Sequence, residues 1–460
     1  MTPKPGSNTP NIGNRVESPR RIIYDGLNLT LDQGTGIAAY TRLLTHIARS
    51  LRYDVGVVYG TTFTPDKDAL LQEVLFFDQM RAPHQSDRKI TLRGALNRTL
   101  NRIIDQVRYN LPVKPLPLRL GGAVIDQHHA DSFAEHDRAF VARNLFDSAN
   151  AIFNRTGRFI NLSFDPTPDM LHCTWPLPLR VRSACNIYTI HHLMPPQLPF
   201  ATPETKKRNF RLLKKIADTA DHIVTASEAS RRNIVRTLNV DERRVTNTYI
   251  SVKFPQKYLE RSEHSVANYL DGLYGLEMNG YLLFLGASEP KKKINRLIDA
   301  FLSSDVDIPL VLVTSPGWHN ADELNRPRER KAPQGARNAA SSQIRCLNDI
   351  GLSALVSLIR GARAVVLPPP YEGFSPPILD AMMLGTPVVA STSEALTEIS
   401  GDAALLVDPY DIDDIAHALT TIVNDADLRR ELSQRGMAQA AKFSVARYRE
   451  RIRLLYASLA

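Results

Sequence analysis

The segment RAVVLPPPYEGFSPPILDAMMLGTPVVAS, residues 363–391, decides how this chain folds. The apolar run Ala364–Leu367, rich in valine, has the composition of a buried strand, and a loop rich in proline follows it. That loop opens a short apolar helix over 376–385, ended by Gly385, and Pro387 begins a second strand-like run. Strand, loop, helix and strand make a βαβ unit. Open α/β sheets bind ligands outside the carboxyl ends of their strands, where this loop lies. Ser375 is placed to cap the helix, Pro376 and Pro377 suit its first turn, and N–H groups at a helix start attract phosphate. Glu372 and Asp380 bracket the loop. Carboxylates repel phosphate unless they face hydrogen-bond donors, and sugar and ribose hydroxyls are such donors. These residues point to a sugar nucleotide; read alone, they also describe a helix start with incidental acids.

The same alternation runs through most of the chain. Strand-like RIIYDGLNL, a glycine-bearing turn, the helix IAAYTRLLTHIARSL and the strand VGVVYG open a first series. It continues through the helix LFDSANAIFNRTGRFI and the strands in DMLHCTW, NIYTIHHLMPP, HIVTAS and VTNTYISV, closing near residue 255. KFPQKYLERSEHSVANYLDGL reads as a connection, after which YLLFLG, PLVLVTS, ARAVVLP, PVVAS and AALLV form a second series. The expected architecture is α/β, with two Rossmann-like domains at 20–255 and 256–442, a tail at 1–19 without order, and a terminal helix from 443 to 460. Residues 62–120 read as an insertion poor in strands, and the polar stretch 317–342 as a loop.

Composition narrows the class. With 460 residues, 43% hydrophobic and 23% charged, the chain has ample material for folded cores. It contains no apolar run long enough to span a membrane, and its first residues lack a secretory h-region. Three cysteines without metal-ligand spacing favour a reducing cytosol. The net charge of +9 implies an anionic partner. Much of it lies in 88–119, where eight basic residues and Asp105 accompany Leu92, Leu96, Leu100, Ile103 and Val107 at helical spacing. Such a helix suits an anionic membrane surface, an acidic partner or its own core. No nucleic-acid motif accompanies the charge.

In FLGASEPKKKINRLIDAF (284–301), lysines stand at the mouth of a strand, where ammonium groups suit a diphosphate. The segment 363–391 resembles the Glu-x7-Glu signature of family 4 glycosyltransferases, retaining enzymes of the GT-B fold. It matches YEGF, the following proline, the AM pair and G-x-PVVAS, departing at Asp380, where Glu is common, and at Ser375–Pro376. Three further blocks are similar to the family's and stand in its order. Gly286 and the lysines that follow match a G-x-x-x-P-R-K-N block, which places the phosphate-binding lysine on Lys292, with Lys291 in the Arg position and Lys293 in the Asn position. TIHHLMP (189–195) resembles V-x-H-D, with His191 as the histidine beside the donor sugar and His192 in place of the aspartate. Gly34, Thr35 and Gly36 match the first glycine-rich loop, and Ser227 in TASEASRR matches a helix start that it would cap.

The resemblance implies a metal-independent hexosyltransferase with Lys292, Glu372 and His191 as catalytic residues. Gly34, Gly36, Gly286, Lys291, Gly373, Phe374, Ser375 and Asp380 would bind the donor. Asp411 in DPYDIDD is expected to cap a helix rather than hold a metal, and no resident cofactor is expected. The wording YDGLNLT…GTGIAAYTR is similar to transferases of bacterial O-antigen and exopolysaccharide assembly, which implies a nucleotide-sugar donor, GDP-mannose first. It also implies a lipid-linked saccharide acceptor at the cytosolic face of the inner membrane, and a final helix that returns to the first domain. A UDP-sugar transferase, a nucleotide-sugar epimerase and a non-catalytic binding subunit are the alternatives.

Overall fold

A computed structural model describes residues 19–30, 36–63, 68–81, 104, 107–119, 136–193, 203–286, 292–314, 343–348 and 350–459. The expected tail, the loop 317–342 and most of the basic stretch 88–119 lie outside these residues.

The first sheet contains β1 (Arg21–Asp25), β2 (Asp54–Thr61), β3 (Leu116–Leu118), β4 (Arg138–Arg143), β6 (Met170–Cys173), β8 (Cys185–Thr189), β9 (His222–Thr225) and β10 (Val245–Asn247). Their order is β10-β9-β8-β6-β1-β2-β4-β3, and every neighbouring pair is parallel except β3 with β4. Strands β5 (Ile160–Asn161) and β7 (Leu179–Arg180) make a small separate pair.

Side chains alternate across this sheet. Ile23, Leu171, Cys173, Tyr188 and Ile190 pack against α3 (Leu145–Thr156), α4 (Pro203–Thr219) and α5 (Glu228–Leu238). Ile22, Tyr24, Met170 and Ile187 point the other way, into a core built from α1 (Gly36–Ser50) and the last helix. Helix α2 (Ala69–Arg81) adds Phe76 and Phe77 to that second core.

The second sheet contains β11 (Leu282–Leu285), β12 (Leu310–Thr314), β13 (Ile344–Asn348), β14 (Ala364–Leu367), β15 (Val388–Ser391) and β16 (Leu405–Val407). All neighbours in the order β13-β12-β11-β14-β15-β16 are parallel. Every residue of β11, β14 and β15 is buried, because helices cover both faces; that is why these strands read as unbroken apolar runs.

The sequence reading needs three corrections. The stretch taken as a connection folds as α6 (Gln256–Leu259) and α7 (Glu263–Tyr274), where Ser262 caps α7 through the Ser265 N–H, and Val266 and Leu270 enter the second domain's core. Helix α3 stops at Thr156 because Gly157 takes a left-handed φ of 68° and its N–H returns to the Phe153 carbonyl. Strands β4 and β13 went unread, since Arg138, Arg143, Arg345 and Asn348 give them no clean apolar run.

The remaining helices, α8 (Ile294–Ser303), α9 (Leu352–Gly361), α10 (Pro376–Met383), α11 (Glu394–Ser400), α12 (Ile412–Asn424) and α13 (Ala426–Ala441), belong to the second domain. Helix α14 (Val445–Ser458) does not. Its Tyr448, Ile452, Leu455 and Tyr456 are buried in the first domain beside Ile22, Tyr24 and Leu44, and Arg449 donates to Ser50 Oγ at the end of α1.

Helix α5 shows how the domains are joined. The Ser227 hydroxyl accepts from Ser230 N at 3.0 Å, and Arg231 N donates to the Ser227 carbonyl. The other two amino-terminal donors, Glu228 N and Ala229 N, reach the carboxylate of Glu398 on α11 at 2.7 and 2.8 Å. Arg231 N makes the first ordinary helical bond, and the three donors of Glu228, Ala229 and Ser230 that the helix start leaves open are all satisfied, two of them by the other domain. Because α14 completes the first core, Ile452→Ala is expected to lower the unfolding free energy by about 2–5 kcal/mol, measured by urea denaturation. A loss under about 0.5 kcal/mol would show that α14 is only draped on the surface.

Candidate active site

The site lies where the carboxyl end of β8 meets the loop between β14 and α10. Gly373 is the point of contact. A Cβ built there would stand 2.4 Å from His192 Cβ, closer than real Cβ atoms come, and a tight 3.0 Å from the His191 carbonyl. Its carbonyl accepts from Ser227 Oγ at 2.7 Å and Ser230 Oγ at 3.2 Å, and the neighbouring Tyr371 hydroxyl donates to the Leu193 carbonyl. The tip of YEGF is therefore held on three sides by the first domain.

Lys292, in the short turn before α8, and Glu372 form an ion pair across the loops that follow β11 and β14. Both side chains are sheltered, at 13% and 10% exposure, so removing one partner leaves the other's charge poorly solvated. The pairing also explains how an acid can stand beside an anion site: its charge is offset locally. Lys293, in the family's Asn position, stands at the N-cap of α8 without a side-chain capping bond, at a left-handed φ of 50°, a conformation that Asn tolerates better than most residues.

Ser375 occupies the N-cap of α10, but its hydroxyl makes no capping bond. Pro376 and Pro377 carry no N–H, and Ile378 N returns to the Ser375 carbonyl. The helix therefore cannot cradle an anion with its own first amides, which corrects the sequence reading. The donors that remain are in the loop: among the described residues, the backbone N–H groups of Glu372, Gly373, Phe374 and Ser375 have no protein acceptor. The ring of Phe374 is not part of this surface, because it is buried in the second core, 6.4 Å from the ring of Phe443.

Asp380 lies on α10, partly buried, and its carboxylate has no protein hydrogen-bond or ion-pair partner among the described residues. Burial pushes its pKa up to about 7. His191 Nε2 lies 3.1 Å from the Thr174 carbonyl, which can only accept, so Nε2 carries the proton and Nδ1 the lone pair. Burial lowers the His191 pKa to about 4, and the ring is neutral near pH 7. Thr174 is itself fixed by Asp25, whose carboxylate accepts from the Thr174 hydroxyl at 2.9 Å, and by Thr41 at 3.0 Å.

Gly286 ends β11, and a Cβ there would make only ordinary contacts with Phe284 and Lys292. Gly36 begins α1, and a Cβ would meet nothing within 4 Å. Gly34 and Lys291 lie outside the described residues. The structure thus brings His191, Lys292, Glu372, Gly373 and Ser375 into one region around the YEGF loop. Sequence reasoning missed Ser230, Thr174, Tyr40 and Glu398, which support that region from distant parts of the chain, and gave no separate role to Tyr371 of YEGF. Thr174 and Ser230 are signalled only by position, at a strand end and a helix start, and Tyr40 and Glu398, inside helices, lack even that. Among the described residues, no cluster of His, Cys, Asp or Glu could hold a metal ion. Asp411 caps α12 by accepting from Asp413 N and Asp414 N.

Two outcomes follow from this geometry. Gly373→Ala should destabilise the folded protein by about 1–3 kcal/mol, and small-angle scattering should show a larger radius of gyration as the domains part. An unchanged radius and melting temperature would contradict the close approach. Asp380 has a raised native pKa, so between about pH 4 and 7 the native state holds a proton that the unfolded chain has lost, and stability falls as pH rises through that window. Asp380→Asn should therefore melt above the parent at about pH 8 and together with it near pH 4, as followed by calorimetry.

Residues 275–439 match the family model described as glycosyl transferases group 1. The chain is 33% identical over 273 residues to an O-antigen chain mannosyltransferase B of Escherichia coli, an alignment covering 58% of this chain and 68% of that protein. It is 27% identical over 244 residues to the Escherichia coli serotype-specific mannosyltransferase WbdA, covering 51% of this chain but 29% of that longer protein. The fold resembles that of Anabaena HepE crystallised with UDP and glucose, with a TM-score of 0.62 at 15% identity, covering 95% of this chain and 100% of that one. It also resembles WaaG, a glycosyltransferase involved in lipopolysaccharide biosynthesis, with a TM-score of 0.56 at 10% identity, covering 94% and 97%. With two parallel-sheet domains joined at the YEGF loop, this chain belongs to the group 1 glycosyl transferases and is a hexosyltransferase of the GT-B fold, similar to mannosyltransferases.

Proposed function

We propose that this enzyme transfers mannose from GDP-mannose, with retention of configuration, to a lipid-linked saccharide in the assembly of a bacterial surface polysaccharide such as O-antigen or exopolysaccharide. The observation that carries the reading is the grouping of the Lys292–Glu372 pair and the open amides of 372–375 against the His191–His192 strand end. The names of the relatives, O-antigen and serotype-specific mannosyltransferases, support the sugar and the acceptor class.

The chemical difficulty is the departure of GDP from a centre that develops oxocarbenium character, while negative charge grows on the leaving phosphate. Fixed cations and N–H groups aimed at that charge lower the barrier. An ammonium has three donors, so Lys292 can pair with Glu372 and meet a phosphate oxygen as well. The loop amides of Phe374 and Ser375 would serve the same charge. Glu372 has lone pairs left for donor-sugar hydroxyls, and neutral His191 would line the sugar pocket. Asp380 would hold the ribose, and nucleotide binding would then favour its ionised form. A donor phosphate oxygen would take the acceptor proton, so this scheme requires neither a separate carboxylate base nor a resident metal or cofactor.

We extend the reading to a cytosolic enzyme peripheral to an anionic membrane. No described helix is long and apolar enough to cross a membrane. In the described part of 88–119, Val107, Leu111 and Leu116 are exposed beside Arg108, Lys114 and Arg119, a mixture suited to headgroups and their boundary.

A thermal-shift series with GDP-mannose, UDP-glucose and ADP-glucose tests the donor. GDP-mannose should raise the melting temperature, because a ligand that binds only the native state stabilises it. A rise with UDP-glucose alone would overturn the choice of donor. Lys292→Ala should lower turnover by about 10²–10³-fold. An equally active Lys292→Ala enzyme would remove the phosphate role.

A further inference from the structure

We propose that the last helix sets the position of His191 through a buried hydrogen-bonded chain, Tyr456–His172–Thr189–Tyr40, which makes Tyr456 and Tyr40 positioning residues of the transfer site. This rests on the reading of His191 as a wall of the donor-sugar pocket.

The chain is continuous. On α14, the Tyr456 hydroxyl lies 2.8 Å from the Tyr24 hydroxyl and 2.8 Å from His172 Nδ1. His172 Nε2 lies 2.9 Å from Thr189 Oγ1, and the Tyr40 hydroxyl meets the same Oγ1 at 2.9 Å. The ring of Tyr40 then stands edge-on to the ring of His191, with centroids 4.9 Å apart and planes at 84°. Tyr24, His172, Thr189, Tyr40 and Tyr456 are all at most 2% exposed, so no water competes for these bonds.

Strand geometry explains why the chain ends at the site. His172 and Thr174 lie two residues apart on and just beyond β6, and Thr189 and His191 likewise at the end of β8, the parallel neighbour of β6. Residues two apart share a sheet face. Buried polar chain and reactive wall therefore occupy one face, the face that α14 covers. Thr174 holds His191 by one ring nitrogen. A single hydrogen bond leaves rotation about its axis open, and the edge of Tyr40 resists that rotation.

His172 is neutral, because burial lowers its pKa to about 3. A neutral imidazole donates with one nitrogen and accepts with the other, so the chain is polarised in one direction and a break at any bond affects the rest. Phenylalanine at 456 would fill the core as well, but it could not transmit an orientation. The helix that carries Tyr456 is also the element by which the chain returns from the second domain, so its seating bears on His191.

The test uses the full chain labelled with [15N]histidine. Long-range 1H–15N spectra report each ring's tautomer, and the His191 signals are identified by their loss in His191→Gln. Tyr456→Phe, and independently Thr189→Val, should shift or broaden the His191 ring signals. Those of His222, bonded to Thr246 outside the chain, should stay in place. With GDP-mannose as probe, Tyr456→Phe should lower kcat about tenfold with KM within about twofold, and should change kcat less than about twofold in a His191→Ala background. Unmoved His191 signals in both variants, or an equal loss of kcat in both backgrounds, would overturn the inference. A His191→Ala enzyme of undiminished turnover would instead remove the pocket reading beneath it, and shifted spectra would then show coupling without a part in transfer.

Discussion

Gly373 has no side chain, and the meeting of the two sheets depends on that absence. With a Cβ in place the loop could not reach the end of β8, and the carbonyl that Ser227 and Ser230 hold would move away from them. Those serines belong to the first turn of α5, whose remaining donors are taken by Glu398 of the other domain. Close approach, helix capping and ion pairing are thus parts of one joint. Each leaves its buried polar groups partnered only while the domains stay together.

The electrostatics of the site follow from that joint. Closing the loop on His191 and His192 shelters Glu372, and a sheltered carboxylate needs a cation, which Lys292 supplies. Asp380, eight residues further on in α10, receives none, and its pKa rises instead. The two acids of the motif therefore differ in environment: one is held by its partner, the other is poised to respond to whatever binds. A ligand that donates hydrogen bonds to Asp380 would draw it to the ionised form.

Much of this could be read from residue order, for a physical reason. Strands buried on both faces, such as Leu282–Leu285 and Ala364–Leu367, must be apolar throughout, so they are visible without any knowledge of their neighbours. Lys292 and Glu372 were found because each sits in a compact block of several informative residues. What stayed hidden was non-local. Ser227 meets Gly373 across 146 positions and Glu228 meets Glu398 across 170, and neither pairing has a local signature. Helices α6 and α7 were missed because Val266 and Leu270 give only one apolar repeat. The loss of donors at α10 is legible in Pro376–Pro377, since the prolines that suit a helix start also remove its N–H groups.

Helix α14 has a consequence for how the protein comes into being. Tyr24 and Tyr456 are 432 positions apart, yet they share a hydrogen bond inside one core. A chain emerging from the ribosome lays down Ile22, Tyr24 and Leu44 early, and the part of this core that Tyr448, Ile452, Leu455 and Tyr456 fill stays open until residues 445–458 arrive. The core of the first domain is therefore completed only by a helix that follows the second domain, although its sheet is built within the first 250 residues. During synthesis part of this apolar face waits until the whole second domain has been made, so the two domains are linked in the order of their completion as well as in their contacts.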